Sequence, residues 1–144
     1  MEKTNLAFSK KDDLTSEFYY EWGTNLESLL GEWTNVNPKT GQISRIIMSS
    51  KDDETYIECF GQLEDGEQDW GQTPCQLFSD NVSSPVIEGF VGSYDLDFIE
   101  IMIVGNIKYG VMVVQSYNTF KDGSKRNNYI AREFFCKIED KESE

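Results

Sequence analysis

The chain has 144 residues, a formal net charge of −13, no histidine and three cysteines. This length fits a single domain, and the acidity disfavours binding to nucleic acid or to anionic membrane surfaces, because like charges repel. Without histidine there are no Ser-His-Asp or Cys-His nucleophile pairs and few routes to a zinc site, so any catalysis must use Asp, Glu, Tyr, Cys or Lys.

The N-terminal part of the chain is predicted to precede the sheet. Residues 1–13 are charged and lack the apolar core of a signal peptide, so we expect a flexible arm on a cytoplasmic protein. Apolar residues between Leu14 and Leu30 recur at close to helical spacing, which predicts one or two short helices. These helices would either form a lid across one end of a barrel or simply cover the core.

From Trp33 onward the pattern alternates between strands and turns, with Gly105-Asn106 and Asp122-Gly123 as predicted hairpin turns. This pattern predicts an all-β fold, an eight-stranded antiparallel up-and-down β-barrel with a short N-terminal helical segment. The barrel domain, with its helical lead-in, is assigned to residues 14–138, and residues 139–144 are a charged tail. The predicted strands begin at Trp33 and then cover residues 43–49, 55–62, 70–78, 87–94, 98–104, 109–120 and 128–138.

Gly31 and Trp33 lie on the first predicted strand, and Arg132 lies on the last. A Gly-x-Trp on the first strand together with an Arg on the last resembles the calycin superfamily, which includes lipocalins, fatty-acid-binding proteins and avidins. The resemblance implies that Arg132 stacks on Trp33 at the closed end of the barrel, where a cation–π contact would stabilise the fold. A structural role for this pair is favoured over a role at the base of a ligand site.

Three cysteines, an odd number, are typical of a reducing compartment rather than of a disulfide scaffold. Cys59 and Cys75 fall nearly opposite each other if the strands around residues 63–68 pair as a hairpin. Adjacent free thiols are favoured there, and a disulfide bridge is the alternative.

The long strand 109–120 carries mixed aromatic, aliphatic and amide residues on both faces, a pattern more typical of a ligand-lined barrel than of a dry core. Two carboxylates and a phenol are the candidate acids or bases: Glu58, Glu100 and Tyr117. Exposure is the default expectation for both carboxylates. The candidate ligand-binding residues are Trp33, Arg45, Tyr56, Trp70, Gln115, Tyr117, Arg132 and Phe134.

Three functions are compatible with these features. The first is the binding of a small hydrophobic or amphipathic molecule in the barrel. The second is a cofactor-independent isomerase or cyclase, in which positioning of the substrate supplies most of the catalysis. The third is a protein-interaction module with a filled barrel. Neither cofactor nor metal is expected, a homodimer is left open, and the interior volume separates the third function from the first two.

Overall fold

A computed structural model describes residues 24–138 of the chain. It contains one short helix and eight strands, each antiparallel to its neighbours, and strand β8 pairs with strand β1 to close a barrel. The predicted fold class is therefore confirmed. The predictions for the arm 1–13, for helix within residues 14–23 and for the tail 139–144 lie outside the described residues. The elements are α1 (Leu26–Leu29), β1 (Gly31–Asn35), β2 (Ile43–Lys51), β3 (Glu54–Leu63), β4 (Gly66–Ser79), β5 (Ile87–Asp95), β6 (Ile99–Lys108), β7 (Val111–Phe120) and β8 (Tyr129–Lys137).

Helix α1 closes one end of the barrel. It begins with a capping box, in which the Asn25 side chain accepts a hydrogen bond from the Ser28 N–H and the Ser28 hydroxyl accepts one from the Asn25 N–H. Leu29 is fully buried, and its carbonyl accepts a hydrogen bond from the Trp33 indole Nε1 at 2.8 Å. The helix is thereby fixed to the first strand and to the core beneath it.

The predicted stack of Arg132 on Trp33 is wrong. Trp33 is 2% exposed and lies opposite Lys137, five positions along β8 from Arg132. Arg132 points to the outer surface, where its Nε donates a hydrogen bond to the Gln115 Oε1 at 2.9 Å. The parity of β8 explains the difference, because residues on the Phe135 face point inward and Arg132 is on the other face.

Lys137 is the basic residue beside Trp33 at the closed end. Its Nζ donates a hydrogen bond to the Ser28 carbonyl at 2.8 Å, and burial lowers its pKa. Its aliphatic stem crosses Gly31, where a Cβ atom would lie 2.9 Å from the Lys137 Cε. Gly31 also has a φ of 129°, a backbone conformation that glycine adopts without strain. The Gly-x-Trp motif therefore makes room for the last strand.

The predicted turn at Gly105-Asn106 is also wrong. Both residues lie inside β6, which continues to Lys108, and the chain turns at Tyr109 and Gly110, with φ values of 54° and 79°. Gly105 faces inward opposite Phe90, and the Phe90 ring covers it so closely that a Cβ there would lie 2.2 Å from the ring. This glycine provides space for a core aromatic residue rather than conformational freedom for a turn.

Strand β4 is the longest strand and is shared between two partners. It begins at Gly66, earlier than predicted, and it has a bulge where Gly71 adopts a φ of 85°. Residues 66–75 pair with β3, whereas residues 75–79 pair with β5. Pro74 lies opposite Tyr56 of β3 and next to the point where pairing with β5 stops.

Alternate residues of the strands fill the interior of the barrel. Large aliphatic and aromatic side chains from all eight strands meet there, and most of them have almost no accessible surface. An internal cavity large enough for a ligand would give its lining residues accessible surface, so the centre of the barrel is packed. The most deeply buried side chains are Leu29, Trp33, Ile46, Met48, Ile57, Cys59, Ile87, Phe90, Ile103, Met112 and Phe135.

Candidate interaction surface

The residues predicted to bind a ligand divide between the two sides of the barrel wall. Trp33 and Trp70 pack with the core, whereas the other candidates project from the outer face or lie half-buried on it. The Trp70 ring covers Gly61 and makes an edge contact with Tyr94, with ring centroids 5.6 Å apart. The structure therefore does not gather the predicted ligand residues around one internal site. The outward-pointing candidates are Arg45, Tyr56, Gln115, Tyr117, Arg132 and Phe134.

Tyr94 crosses the interior and fixes the bulge of β4. Its hydroxyl donates a hydrogen bond to the Gly71 carbonyl at 2.7 Å and accepts one from the Cys59 N–H at 3.0 Å. Burial raises the pKa of this phenol, so it stays protonated at neutral pH. Tyr94 is therefore a structural group that satisfies buried backbone atoms.

Glu133 is the carboxylate that points inward, and the sequence patterns did not single it out. Its two oxygens accept hydrogen bonds from the Asn35 Nδ2 and from the Thr40 hydroxyl, each at 2.7 Å. Asn35 also donates to the Ile43 carbonyl at 2.9 Å. The signal was available in principle, because Glu133 shares the parity of the fully buried Phe135. These contacts connect the β1–β2 turn to β8, so the role of Glu133 is structural.

An acidic cluster occupies the outer face of β1–β4. Arg45 pairs with Glu32 at 2.8 Å and with Glu67 at 2.9 Å, and its guanidinium lies 3.7 Å from the centroid of the Phe60 ring. Desolvation lowers the pKa of Arg45, but the two carboxylates outweigh it and the pKa is raised. Hydrogen bonds from Ser44 and then Arg45 lower the pKa of Glu67. One guanidinium bridges two carboxylates, so the centre of this cluster keeps a net negative charge.

The two candidate catalytic carboxylates both lie on the outer surface. Glu58 is half-buried beside Asp69, and a hydrogen bond from one carboxyl to the other, with desolvation and the Asp69 charge, raises the Glu58 pKa. Glu100 is exposed on β6. The expectation of outward orientation is confirmed for Glu100 and holds for Glu58 with partial burial. Neither group faces an enclosed site.

A largely uncharged patch covers the outer face of β6, β7 and β8. It consists of three rows of cross-strand neighbours, and we name it the outer patch. Among its members, Ile130 is 59% exposed, Phe134 is 50% exposed and Met102 is 49% exposed. Arg132 is its one charged residue and lies in the middle row. The rows are Met102, Tyr117 and Ile130; Val104, Gln115 and Arg132; and Asn106, Val113 and Phe134.

A groove of about 800 Å³ runs along the C-terminal half of β4. It extends from Asp53 and Glu54, where β3 and β4 separate, past residues 74–78 of β4 to residues 91–93 of β5 and Met102 of β6. Half-buried Cys75 and Leu77 reach it from the inner face of β4, and Phe78 reaches it from the outer face. The groove combines an apolar floor with an acidic rim.

The cysteines are free thiols, so the prediction of unbridged Cys59 and Cys75 is confirmed. The expectation that they lie nearly opposite each other is wrong, because Cys75 pairs with Thr55 and Cys59 lies four residues further along β3, at the bulge. Burial raises the pKa of Cys59 to about 12 and that of Cys75 to about 12. A thiol with so high a pKa is almost entirely protonated at neutral pH and is a poor nucleophile. The two groups therefore behave as core residues.

Within residues 24–138, no group of three or more Cys, Asp or Glu side chains is arranged to hold a metal ion. None of the helices in that range has the length and apolar character needed to span a bilayer. Comparisons with protein-family models, with curated proteins and with solved structures give no match.

Proposed function

We propose that this protein is a protein-interaction module, and that its outer patch binds an apolar surface of another protein that carries a carboxylate opposite Arg132. The observation that carries the proposal is the exposure of Met102, Ile130 and Phe134 around a single charged residue, Arg132, on one face of a strongly acidic chain. Contiguous exposed apolar side chains of this kind are typical of interaction sites.

The packed interior favours this function over the two functions that need a cavity. A ligand in the barrel would have to displace side chains such as Ile57, Ile103 and Met112, each of which has no exposed surface. Displacing well-packed core side chains is costly, since each buried aliphatic residue contributes about 1.5–3 kcal/mol. Among the functions predicted from the sequence, an interaction module requires no such rearrangement.

The composition of the outer patch supports the same proposal. Tyr, Phe, Met and Arg are enriched in interface cores, whereas Lys, Glu and Asp are depleted from them. Arg132 is held in place by Gln115, whose amide Nε2 in turn donates a hydrogen bond to the Tyr117 hydroxyl. A guanidinium that is already oriented loses less conformational entropy when it pairs with a carboxylate.

Charge decides between a different protein and a second copy of this chain as the partner. None of the ion pairs within residues 24–138 includes Arg132, so its charge is available to a partner. A two-fold dimer through this patch would bring two Arg132 side chains together and would join two chains that each carry a net charge of −13. A different protein with a carboxylate avoids both sources of repulsion.

Site-specific photocrosslinking in cells of the source organism tests the proposal. Phe134→p-benzoylphenylalanine places the crosslinker on the outer patch, and Leu63→p-benzoylphenylalanine is the matched control, at an exposed position at the C-terminal end of β3. We expect position 134, and not position 63, to crosslink to a defined peptide of another protein. Arg132→Glu should abolish the adduct, and replacing the partner carboxylate with lysine should restore it.

Four outcomes would overturn the proposal. Equal products from both positions, or an adduct that persists with Arg132→Glu, would show that the patch is not a specific site. Adducts between two copies of this chain would make the protein a homodimer. A small molecule that remains bound in native mass spectrometry and that no Arg132 variant releases would instead support ligand binding.

We also propose that the chain is a calycin-type barrel. The support consists of Gly31 and buried Trp33 on the first of eight up-and-down strands, with a basic residue of the last strand beside that tryptophan. The basic residue is Lys137 rather than Arg132. An experimental structure that superimposes on a lipocalin with Trp33 and Lys137 at equivalent positions would test this assignment.

A further inference from the structure

We propose that the free edge of β4 at residues 76–79 binds an extended peptide segment of another protein as an additional β-strand, with a basic side chain of the peptide beside Asp53 and Glu54. This site lies at the edge of β4 and shares Met102 with the outer patch on β6–β8. It would give the module a second mode of recognition, based on backbone hydrogen bonds.

Within residues 24–138, one edge of β4 is unpaired beyond its last pair with β3. Strand β4 pairs with β3 only as far as the Thr55–Cys75 pair, and the next four residues of β4 pair with β5 alone. In the described part of the chain, no other strand pairs with residues 76–79 on the β3 side. Alternate residues of a strand direct their backbone N–H and C=O groups to opposite sides, so part of this segment presents unpaired groups toward the groove.

The groove provides space beside this edge for an additional strand. Part of the groove of about 800 Å³ lies between this segment and the β2–β3 turn, and the rest continues over β5 to Met102, so a strand can approach this edge without displacing a neighbour. Leu77 and Phe78 lie on opposite faces of β4 and both reach the groove. A peptide with alternating apolar side chains would find apolar surface on either face of the extended sheet.

Negative charge at the rim of the groove favours a basic peptide. Asp53 and Glu54 are exposed and form the rim of the groove opposite residues 76–78. With a net charge of −13, the chain attracts basic segments over a distance and repels acidic ones. The occupant that fits is therefore an extended, partly apolar peptide with Lys or Arg at the position that meets this rim.

Selection from a displayed library of random short peptides tests the proposal with the full chain as the target. Enriched peptides should alternate apolar residues, contain Lys or Arg, and slow hydrogen exchange of amides within residues 76–79. The double variant Asp53→Asn and Glu54→Gln should weaken binding about ten-fold. Asp53 has a φ of 66°, which Asn tolerates, so this variant should fold. The matched control is Glu64→Gln with Asp65→Asn, in the β3–β4 turn at the other end of the barrel.

Backbone methylation of the peptide gives an arm that needs no protein variant. N-methylation of the amides on one side of an enriched peptide removes its strand hydrogen bonds and keeps its side chains, and should weaken binding about ten-fold or more. Failure to enrich any peptide, binding that tolerates methylation, or protection of amides outside β4 would each overturn the proposal. Loss of the crosslink at position 134 would not affect it, so the two sites are tested separately.

Discussion

Lys137 anchors helix α1 through a hydrogen bond to the carbonyl of Ser28, whereas Arg132 donates a hydrogen bond to Gln115 on the outer surface. Replacing each by methionine keeps an unbranched apolar side chain and removes the charge. We expect Lys137→Met to lower the free energy of unfolding by about 0.5–1.5 kcal/mol. Arg132→Met should change it by less than about 0.5 kcal/mol. Urea denaturation measures both, and a larger loss for Arg132→Met would contradict the assignment of Lys137 as the anchor.

Glu58 makes a pH-dependent contribution to stability because the adjacent Asp69 carboxyl raises its pKa in the folded protein. A raised carboxyl pKa means that the folded state holds a proton more tightly than the unfolded state. The ionised group therefore destabilises the fold at neutral pH, and this penalty disappears as the pH falls through the raised pKa and below the unfolded value.

Glu58→Gln retains hydrogen-bonding capacity and removes the charge. We expect its melting temperature at pH 7 to exceed that of the native chain by about 1–3 °C, since the site is largely solvated. The difference should vanish in acid. Glu100→Gln, at an exposed position on β6, is the control and should show no such pH dependence. A native chain that is more stable than Glu58→Gln at neutral pH would contradict the proximity of the two carboxylates.

Within strand β6, Gly105 is defined by the ring that covers it rather than by the asparagine that follows. Gly105→Ala would place a Cβ 2.2 Å from the fully buried Phe90 ring, which has no space into which to move. We expect a loss of about 1–3 kcal/mol from overpacking. Gly41→Ala is the control, because a Cβ there meets nothing within 4 Å. Chemical denaturation that showed equal stability for the two variants would contradict the close packing of Phe90 on Gly105.

The existence and order of the strands could be predicted from the sequence, but the position of the turn after β6 could not. Glycine followed by asparagine is a common hairpin signal, and nothing local distinguishes it from a glycine that admits a partner's ring, because Phe90 comes from β5. The strands and their order were predictable, since each has its own run of β-forming residues. The stagger that lets β4 extend past β3 was not, because register depends on pairing between strands.

The side of the barrel wall to which each side chain points could not be predicted either, and it decides which residues form the candidate site. Strand β8 carries Phe134 and Phe135 side by side, so one aromatic residue must point outward whichever parity is chosen. The predicted stack on Trp33 required Arg132 to face inward, but in the structure Glu133 faces inward and Arg132 faces outward. Most of the predicted ligand residues consequently define an exterior surface rather than a cavity.

Across the whole barrel, charge is unevenly distributed over the exterior. The outer face of β1–β4 carries Glu32, Arg45, Glu58 and Glu67, whereas the outer patch on β6–β8 carries a single charge at Arg132 and is flanked on β6 by Glu100 and Lys108. Solubility requires charge somewhere on the surface, but the packing of the barrel does not require its scarcity in the outer patch. This asymmetry is the reason for assigning recognition to the outer face.

Pairing between β1 and β8 closes the barrel through a short seam. The seam contains the pairs Trp33–Lys137, Thr34–Cys136 and Asn35–Phe135, and the Val36 and Ile138 N–H groups extend it with hydrogen bonds of 2.9 Å each. Thr34 and Cys136 are both exposed on the outer face. Directly opposed residues of antiparallel strands have Cα atoms about 4.5–5.5 Å apart, within the range that a disulfide spans.

Thr34→Cys should therefore form a disulfide with the native Cys136 under mild oxidation. The bridge would close a loop of about 100 residues and raise the free energy of unfolding by up to about 4–5 kcal/mol, because it restricts the unfolded chain. Glu32→Cys is the matched control, since this position on the same strand is displaced by two residues from the Cys136 partner. Thiol titration and melting under oxidising and reducing conditions provide the measurement. If neither variant oxidises, or both do so equally, then β1 and β8 are not paired in this register and the sheet is not closed as described.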